Sequence, residues 1–222
     1  MDPATMATNS ANVTAHNDSR VQIGNNYSTT VHNHGGSNHN SCLADLRLAN
    51  PLLADPRDEK ARIEQTKGGL YRDAYKWILE NDEFHRWRHD ERSRVLWIKG
   101  DAGKGKTMLL CGIIDELSQG FDLSSLVRRP VLLSHFFCQA TDTGLNTAVA
   151  VLRGLIYLML LQRPPLLAHL QERRDHGSRQ IFEGPNAFFS MSQTLLSMLR
   201  DPVTSGAFLV IDALDECEIG LS

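Results

Sequence analysis

Apolar and polar positions over the second half of the chain predict strands and helices in alternation. Three short apolar runs have the length and composition of strands: residues 94–99, 131–137 and 207–212. Helical patterns lie between them: from about 106 to 117, from about 146 to 161, after Pro164-Pro165, and from about 185 to 199. Strands that alternate with helices indicate a parallel sheet, so the predicted fold class is α/β. Because the run 207–212 is continuously apolar up to its last residue, Asp212, we expect it to be covered on both faces.

A second pattern, upstream of these strands, has helical spacing. Apolar residues in the stretch from about 61 to 81 recur every three or four positions, which predicts an amphipathic helix, either straight or bent at Gly68-Gly69. Before it, residues 42–58 contain Pro51 and Pro56 and suit an ordered connector on a domain surface. We therefore predict a connector and helical lead-in over residues 42–93, followed by the α/β core over residues 94–222.

The first 41 residues have a different composition. They include eight Asn and four His, and the first Glu and Lys of the chain are Glu59 and Lys60. A segment so poor in apolar surface cannot offset its chain entropy, so we expect residues 1–41 to be disordered when alone. Within this tail, residues 19–31 alternate Val21 and Ile23 with polar neighbours and contain no proline. This pattern predicts a strand that forms when identical chains stack.

Charge and cysteine content argue against several classes of protein. The net charge of -3 argues against nucleic-acid binding, since that function uses clustered positive charge. The four cysteines are far apart and show no metal-binding spacing, so we interpret them as reduced intracellular thiols. The longest apolar stretch, 154–161, is much shorter than the ~20 residues of a membrane helix, and no secretory signal is recognisable. These features predict a soluble, cytoplasmic protein without stable membrane insertion.

The clearest chemical signal lies between the first predicted strand and the helix that follows it. Eight residues match the pattern G-x-x-x-x-G-K-[ST] in full: Gly100, Asp101, Ala102, Gly103, Lys104, Gly105, Lys106 and Thr107. In such a loop the glycines let backbone amides converge on a polyphosphate, next to the positive end of the helix. Lys106 would reach the β and γ phosphates, and the Thr107 hydroxyl would be a Mg²⁺ ligand. The alternative is a glycine turn with a solvated lysine, which the flanking strand and helix disfavour.

Acidic residues follow the last predicted strand. Asp212 ends that strand, where an open parallel sheet places its ligand crevice, and its carboxylate would hold Mg²⁺, usually through water. Asp215 and Glu216 come three residues later, and either could orient an attacking water or sense the γ phosphate, so both are candidate catalytic residues. A solvated acidic turn is the alternative interpretation. The glycine-rich loop upstream favours the metal role for Asp212.

Other chemically capable residues are not assigned to sites. Three histidines of the tail are more typical of a solvated linker than of a metal site: His32, His34 and His39. His135, inside a predicted strand, is interpreted as a core or edge histidine and not as a catalytic base. Cys138 and Cys217 are interpreted as small buried apolar residues, because no base is visible beside them in the sequence. The three tryptophans are interpreted as packing residues, because no pattern of basic and aromatic residues indicates base stacking: Trp77, Trp87 and Trp97.

Most of the chain resembles the NACHT-type nucleotide-binding domain of fungal NOD-like receptors, a group similar to the N-terminal region of nephrocystin 3. The resemblance extends from Cys42 to Cys217, and six stretches carry it: residues 55–64, 67–70, 97–107, 136–139, 151–157 and 211–217. It implies a P-loop NTPase of the STAND class, in which bound ADP or ATP, or GTP as the alternative, selects between a closed monomer and an oligomer. It also implies that the neighbourhood of Gly68-Gly69 helps to hold the base.

The chain departs from this family where it ends. Ser222 follows shortly after Asp215-Glu216, so this sequence lacks the family's sensor strand, its winged-helix module and its ligand-sensing repeats. In the family's sheet order, the sensor strand lies between the strands at 94–99 and 207–212. We therefore expect a core that is truncated after the strand 207–212, which corresponds to the Walker B strand of the family. The truncation would leave unpaired sheet edges, which are aggregation hazards. It would also leave weak or no turnover of nucleotide.

Residues 20–27 resemble the amyloid signalling motif of fungal prion-type incompatibility proteins, which also occurs at the N-terminus of NOD-like receptors. The resemblance places the motif at about 19–34 and implies that clustered receptors stack their tails as a β-solenoid. The stacked tails would template the same fold on an effector protein with a matching motif. A disordered leader that happens to contain Val-x-Ile is the alternative.

Together, these predictions favour a nucleotide-binding signalling module of a fungal NOD-like receptor that acts in non-self recognition or regulated cell death. It would bind ATP or ADP with Mg²⁺, self-associate through its tail and its NTPase domain, and signal to the effector protein. Three alternatives stay open: an amyloid adaptor with a vestigial nucleotide domain, a plain NTP hydrolase or kinase, and a non-functional gene fragment.

Overall fold

The computed structural model of the chain describes residues 13–15, 19–22, 28–31, 46, 55–90, 92–119, 131–142, 144–176 and 184–217. They belong to two compact units, Met1–Cys42 and Leu43–Ser222. The first unit contains the predicted tail motif, and the second contains every candidate residue for nucleotide chemistry.

The first unit contains a three-stranded antiparallel sheet with its strands in chain order: β1 (Val13–Ala15), β2 (Ser19–Gln22) and β3 (Ser28–Val31). Val21 of β2 is opposite Val13 of β1 and Thr29 of β3. Two of the three strands lie inside the stretch 19–31, where the sequence predicts a single strand. Because these strands pair within one chain, the stacking of identical chains stays a prediction.

Within the described residues 55–90, the second unit forms three helices: α1 (Pro56–Thr66), α2 (Arg72–Leu79) and α3 (Asp82–His89). The Asp55 side chain caps α1 by accepting a hydrogen bond from the backbone N–H of Arg57 at 3.0 Å, and Pro56 occupies the first helical position, where no N–H is needed. Asn81 caps α3 by accepting from the backbone N–H of Glu83 at 2.9 Å. Both helix starts are therefore encoded locally.

The stretch from about 61 to 81, where the sequence predicts one helix, contains the end of α1 and all of α2. Gly68 and Gly69 separate them, and both have positive φ values, 86° and 98°, which glycine adopts without steric cost. The chain therefore leaves the helical path between α1 and α2, and a single bent helix is wrong. α1 also begins earlier than predicted, because its cap is Asp55.

The second unit has a two-stranded parallel sheet. Its strands β4 (Leu132–Phe137) and β5 (Ala207–Asp212) pair in register, with Leu132 opposite Ala207 and Phe137 opposite Asp212. After α1, α2 and α3, the chain forms a further helix before β4, α4 (Lys106–Gln119). The described residues between β4 and β5 include α5 (Ala148–Gln162), a 3-10 turn (Pro164–Leu166), α6 (Leu167–His176) and α7 (Ala187–Arg200). This mixed helical unit with a small parallel sheet is compatible with the predicted α/β class.

The run 94–99 forms no strand, so the prediction of one there is wrong. Among the described residues the parallel sheet consists of β4 and β5. Side chains of the run nevertheless alternate between core and solvent, as in a strand. Leu96 and Ile98 pack against the core, whereas Val95 and Trp97 are 77% and 70% exposed. Alternating apolar side chains give the run one packed face, but a strand also needs backbone hydrogen bonds to a neighbour. The side-chain pattern carries no information about whether that neighbour is present.

Helices pack on both faces of the parallel sheet. Phe137 of β4 belongs to a buried cluster that includes Ile113 of α4, whereas the ring of Phe136 lies against Gly154 of α5. Because successive side chains of a strand point to opposite faces, α4 and α5 cover opposite sides of the sheet. Several side chains of β5 are only half-buried, which is less burial than its continuous apolar sequence predicts.

Two helical glycines allow these layers to approach closely. A Cβ atom added to Gly112 of α4 would lie 2.4 Å from the ring of Tyr75 in α2, and one added to Gly154 would lie 2.4 Å from the ring of Phe136. Neither position has room for a larger residue. Among the described residues, no helix is both long enough and apolar enough to span a membrane.

Candidate functional site

The glycine-rich residues 100–105 form a tight turn that leads directly into α4. Gly103 and Gly105 have positive φ values of 75° and 79°, while the space beside each of them is open. Glycine is therefore required at these two positions because of the backbone conformation, and not because a side chain would lack space. Because α4 begins at Lys106, the N–H groups of its first turn have no acceptor within the helix and carry its partial positive charge. The turn is thus suited to an anion.

Lys106 folds back over this turn. Its Nζ donates hydrogen bonds to the carbonyl oxygens of Gly100 at 2.6 Å and Asp101 at 3.0 Å. The aliphatic part of the side chain passes Gly100, where an added Cβ would lie 3.8 Å from the lysine Cδ. The turn itself therefore holds the ammonium group, close to the backbone donors of the helix start.

Thr107 and Asp212 are brought together although they are far apart in the sequence. Asp212 is the last residue of β5 and lies opposite Phe137 of β4. It is buried, with only 6% of its surface exposed. Its carboxylate accepts hydrogen bonds from the Thr107 hydroxyl and from the backbone N–H of Ala213. The start of α4 and the end of β5 therefore meet at one point, as the predicted site requires.

Burial raises the pKa of the Asp212 carboxyl above its ordinary value, because a buried charge loses its stabilisation by water. The hydrogen bonds from Thr107 and Ala213 lower the pKa, Glu216 raises it through charge repulsion, and the Lys106 ammonium lowers it. On balance, the folded protein disfavours the charge on Asp212. A cation beside this carboxylate would relieve that cost.

Thr107 and Asp212 fit a hard divalent cation such as Mg²⁺, whose preferred ligands are oxygen atoms. The fit rests on a hydroxyl in hydrogen-bond contact with a buried carboxylate whose charge the site does not fully compensate. Within the described ranges, no group of three or more His, Cys, Asp or Glu side chains could hold a metal by itself. Further ligands would therefore come from water or from a bound phosphate, as is usual for Mg²⁺.

The two candidate catalytic residues lie in a 3-10 turn, Leu214–Glu216, directly after β5. Ala213 enters this turn with a φ of 51°, in the left-handed region that non-glycine residues rarely adopt. The Glu216 carboxylate accepts a hydrogen bond from the backbone N–H of Ala140 at 3.1 Å, just beyond β4. Asp215 is exposed. Both residues are therefore exposed, but the hydrogen bond anchors Glu216 to the backbone just beyond β4.

His135 is a buried residue of β4, which agrees with its interpretation as a core or edge residue. Its Nε2 lies 3.2 Å from the carbonyl oxygen of Pro56, the first residue of α1. Burial lowers the pKa of the imidazole below its ordinary value, so the neutral ring, with Nε2 as the donor, is favoured. The three tail histidines lie outside the described residues.

The tryptophans do not all behave as packing residues. The ring of Trp87 lies 5.2 Å from that of Phe208 in β5 and contributes to the core. Trp77 and Trp97 are exposed, so their interpretation as packing residues is wrong. The ammonium group of Lys99 lies 5.7 Å from the centre of the Trp97 ring, a distance at which the two attract each other.

Sequence reasoning missed how firmly α1 is attached around this site. Gln139, just after β4, donates a hydrogen bond from Nε2 to the buried carboxylate of Glu59. Lys60 forms a salt bridge at 2.7 Å with Asp115 of α4. The charges of residues 55–64 were the available signal, but a solvated surface helix shows the same pattern. The polar side of α1 therefore contacts both the strand end and the helix that begins at Lys106.

Comparison with known proteins gives two matches. Residues 73–220 match the family described as Nephrocystin 3, N-terminal. Over 176 residues the chain is 51% identical to the vegetative incompatibility protein HET-E-1 of Podospora anserina. That match covers 79% of this chain and 12% of the relative, so the chain spans only a small part of that protein's length. No solved structure matches the chain.

Proposed function

Because the chain belongs to the family of the nephrocystin 3 N-terminal domain, we propose that it is a nucleotide-binding signalling module of a fungal NOD-like receptor. It would bind ATP or ADP with Mg²⁺, and GTP is the alternative. One observation supports this proposal most: the Thr107 hydroxyl at the start of α4 donates to the buried carboxylate of Asp212, beside the glycine-rich turn and Lys106.

In this proposal the turn binds phosphate oxygens through backbone N–H groups and the positive end of α4. Lys106 would exchange its two carbonyl acceptors for phosphate oxygens, which form stronger, charge-assisted hydrogen bonds. Thr107 and Asp212 would hold Mg²⁺, which when bound neutralises phosphate charge and orients the phosphates. The base would lie towards Gly68-Gly69.

We further propose that hydrolysis is weak or absent. A hydrolase needs a carboxylate or polar group that orients the attacking water. Asp215 and Glu216 are both exposed to solvent, and the Glu216 carboxylate accepts a hydrogen bond from the backbone N–H of Ala140. The module would then act as a binding switch, in which ADP and ATP favour different states because they make different contacts.

Isothermal titration calorimetry of the 222-residue chain with a non-hydrolysable ATP analogue and Mg²⁺ tests the proposal. Lys106→Ala should weaken binding by about 100-fold or more, the usual effect of removing one partner of a hydrogen-bonded charge pair. Lys104→Ala is the matched control, since Lys104 is an exposed lysine of the same turn. Equal Kd values for the parent chain and Lys106→Ala would refute the site.

The Mg²⁺ role has its own test. Thr107→Ala should lose most of the difference between binding with and without Mg²⁺, whereas Thr107→Ser keeps the hydroxyl and should retain it. If Thr107→Ala and Thr107→Ser respond to Mg²⁺ equally, this hydroxyl is not a metal ligand.

The proposed biological role is heterokaryon incompatibility, since the relative is by its name a vegetative incompatibility protein. The chain would act in the cytoplasm, and recognition of non-self would end in regulated cell death. Its tail would pass on the signal, because β2 and β3 lie within the motif at about 19–34 and could stack between clustered chains. An effector protein with a matching motif would adopt the same stacked fold.

A second candidate function is an amyloid adaptor with a vestigial nucleotide domain. One observation favours this second function: the tail forms a compact unit with its own antiparallel sheet. The two functions differ in how fibre seeding depends on nucleotide. If the parent chain and Lys106→Ala seed an effector-motif peptide equally, with or without ATP, the adaptor is correct; seeding that requires ATP and Lys106 favours the switch.

A further inference from the structure

Two cysteines that the proposed nucleotide chemistry does not use lie side by side at the strand ends. Cys138 directly follows β4, and Cys217 directly follows the 3-10 turn after β5. Their Sγ atoms are 3.4 Å apart, although the residues are 79 positions apart in the sequence. Both are free thiols; Cys138 is 4% exposed and Cys217 is half-buried.

The surrounding backbone already holds the two cysteines together. The backbone N–H of Cys138 donates to the carbonyl oxygen of Asp212 at 3.2 Å, which extends the pairing of β4 and β5 by one residue. The Glu216 carboxylate spans the same gap through its hydrogen bond with Ala140. A disulfide has an S–S length of about 2.05 Å, so the sulfur atoms need to approach by about 1.4 Å. Side-chain rotation and a small movement of the 3-10 turn would supply this distance.

A redox role fits this pair better than a metal role. Thiolate metal sites use four ligands or, in catalytic sites, three with an open position. No group of three or more potential ligands surrounds the pair in the part of the chain that the structure describes. Two thiols alone provide only what a disulfide needs.

We propose that Cys138 and Cys217 form a redox-sensitive clasp, in which a disulfide ties the turn that carries Asp215 and Glu216 to the end of β4. Hydrogen peroxide is the oxidant class. The half-buried Cys217 is the more accessible sulfur: its thiolate attacks one peroxide oxygen, the O–O bond breaks and hydroxide leaves, which forms a sulfenic acid. The Cys138 sulfur then attacks the Cys217 sulfur, the S–O bond breaks, and water leaves with the Cys138 proton. Two thiols are oxidised by two electrons, and one peroxide is reduced to two waters.

The experiment uses the full chain with Cys42→Ser, which removes the cysteine that lies outside the described residues. Of the four cysteines, three remain. Graded hydrogen peroxide should lower the number of free thiols from three to one, and mass spectrometry should find one intramolecular bridge between Cys138 and Cys217 that dithiothreitol reverses. Cys111 serves as the internal control, because it is fully buried and burial raises the pKa of its thiol to about 12.

Amide hydrogen exchange then tests whether the bridge acts as a clasp. In the oxidised chain, exchange of the amides of residues 213–217 should slow by about 10-fold or more relative to the reduced chain, because local opening of the turn is restricted. Cys217→Ser and Cys138→Ala should abolish both the bridge and the slowing, and their reduced-state melting curves show whether each variant folds. Lys106→Ala should form the same bridge, so this result is independent of nucleotide binding.

Three results would overturn the proposal. The first is the loss of all three thiols together, the second is a bridge that involves Cys111 or two chains, and the third is a Cys138–Cys217 bridge without slower exchange at residues 213–217.

Discussion

The substitution Asp212→Asn distinguishes two effects of this residue: its effect on the stability of the nucleotide-free protein and its proposed effect on Mg²⁺-dependent nucleotide binding. The carboxylate is buried, accepts hydrogen bonds from Thr107 and Ala213, and has a raised pKa mainly because of burial. Asparagine keeps the shape and one acceptor oxygen but has no charge. One neutral hydrogen bond is worth about 1 kcal/mol, whereas burying an ion costs several kcal/mol before compensation. Because the raised pKa shows that burial outweighs the compensation, we expect Asp212→Asn to stabilise the nucleotide-free protein.

The expected gain is on the order of 1 kcal/mol, which corresponds to a rise in the melting temperature of roughly 2–4 °C for a protein of this size. Binding should change in the opposite direction. Loss of a carboxylate near the metal should weaken Mg²⁺-dependent binding of an ATP analogue by roughly 10- to 100-fold. Thermal melts without nucleotide and calorimetry with and without Mg²⁺ measure the two effects on the same preparation.

The pH dependence provides a further check, and its sign follows from the direction of the pKa shift. Since the Asp212 pKa is higher in the folded protein than in the unfolded chain, the folded state binds more protons between the two values. The contribution of this group to stability is therefore largest below its ordinary pKa and falls as the pH rises through that window. Asp212→Asn should remove this part of the slope.

Asp215→Asn is the matched control, because Asp215 is an exposed carboxylate of the adjoining turn. It should change the melting temperature and the Mg²⁺ dependence far less. The reasoning is refuted if Asp212→Asn destabilises the nucleotide-free protein while Mg²⁺-dependent binding stays at the parent level.

Three other predictions concern packing, acid sensitivity and the tail. Gly112→Ala should destabilise the protein by about 1–3 kcal/mol in urea unfolding, because the added methyl would overlap the Tyr75 ring; Ser118→Ala, on the exposed side of the same helix, should not. Burial lowers the pKa of His135 in the folded protein, so its contribution to stability is complete above the ordinary pKa of about 6.5 and is lost as the pH falls from there through the lower, folded pKa. His135→Gln should therefore flatten the dependence of the melting temperature on pH below about 6.5. Val21→Asp should abolish fibre seeding by the tail and leave the affinity for the ATP analogue unchanged, whereas seeding at the parent rate would refute the motif.

The local features of the site could be predicted because each depends on few neighbouring residues. A glycine-rich turn followed by a helix at Lys106 needs only backbone conformations that glycine permits. The meeting of Thr107 with Asp212 also follows from general rules, since parallel strands direct their carboxyl ends to one edge of the sheet and the helix starts at that edge. The sequence therefore predicts the positions of these groups without their distances.

Features that depend on the presence of a neighbour could not be predicted in this way. The run 94–99 has the apolar spacing of a strand, and Leu96 and Ile98 do pack against the core, yet it joins no ladder among the described residues. Glu59 is a comparable case: its charge predicts exposure, but hydrogen bonds from Arg62 and Gln139 compensate its burial. In both cases a partner from elsewhere in the chain decides the outcome.

The contact between Cys138 and Cys217 could not be predicted from the apolar pattern of the sequence. It depends on the register that places Phe137 opposite Asp212, because only then do the residues after the two strands lie beside each other. β5 is apolar up to Asp212, and β4 has apolar residues on both faces, so a slip of one residue would also bury apolar side chains, and the pattern alone does not fix the register. Thr107 and its hydrogen bond to Asp212 favour the observed alignment, since a slip would move this carboxylate to the other face of the sheet. The polar group at the strand end thus aligns the apolar strands, and the cysteine pair follows from that alignment.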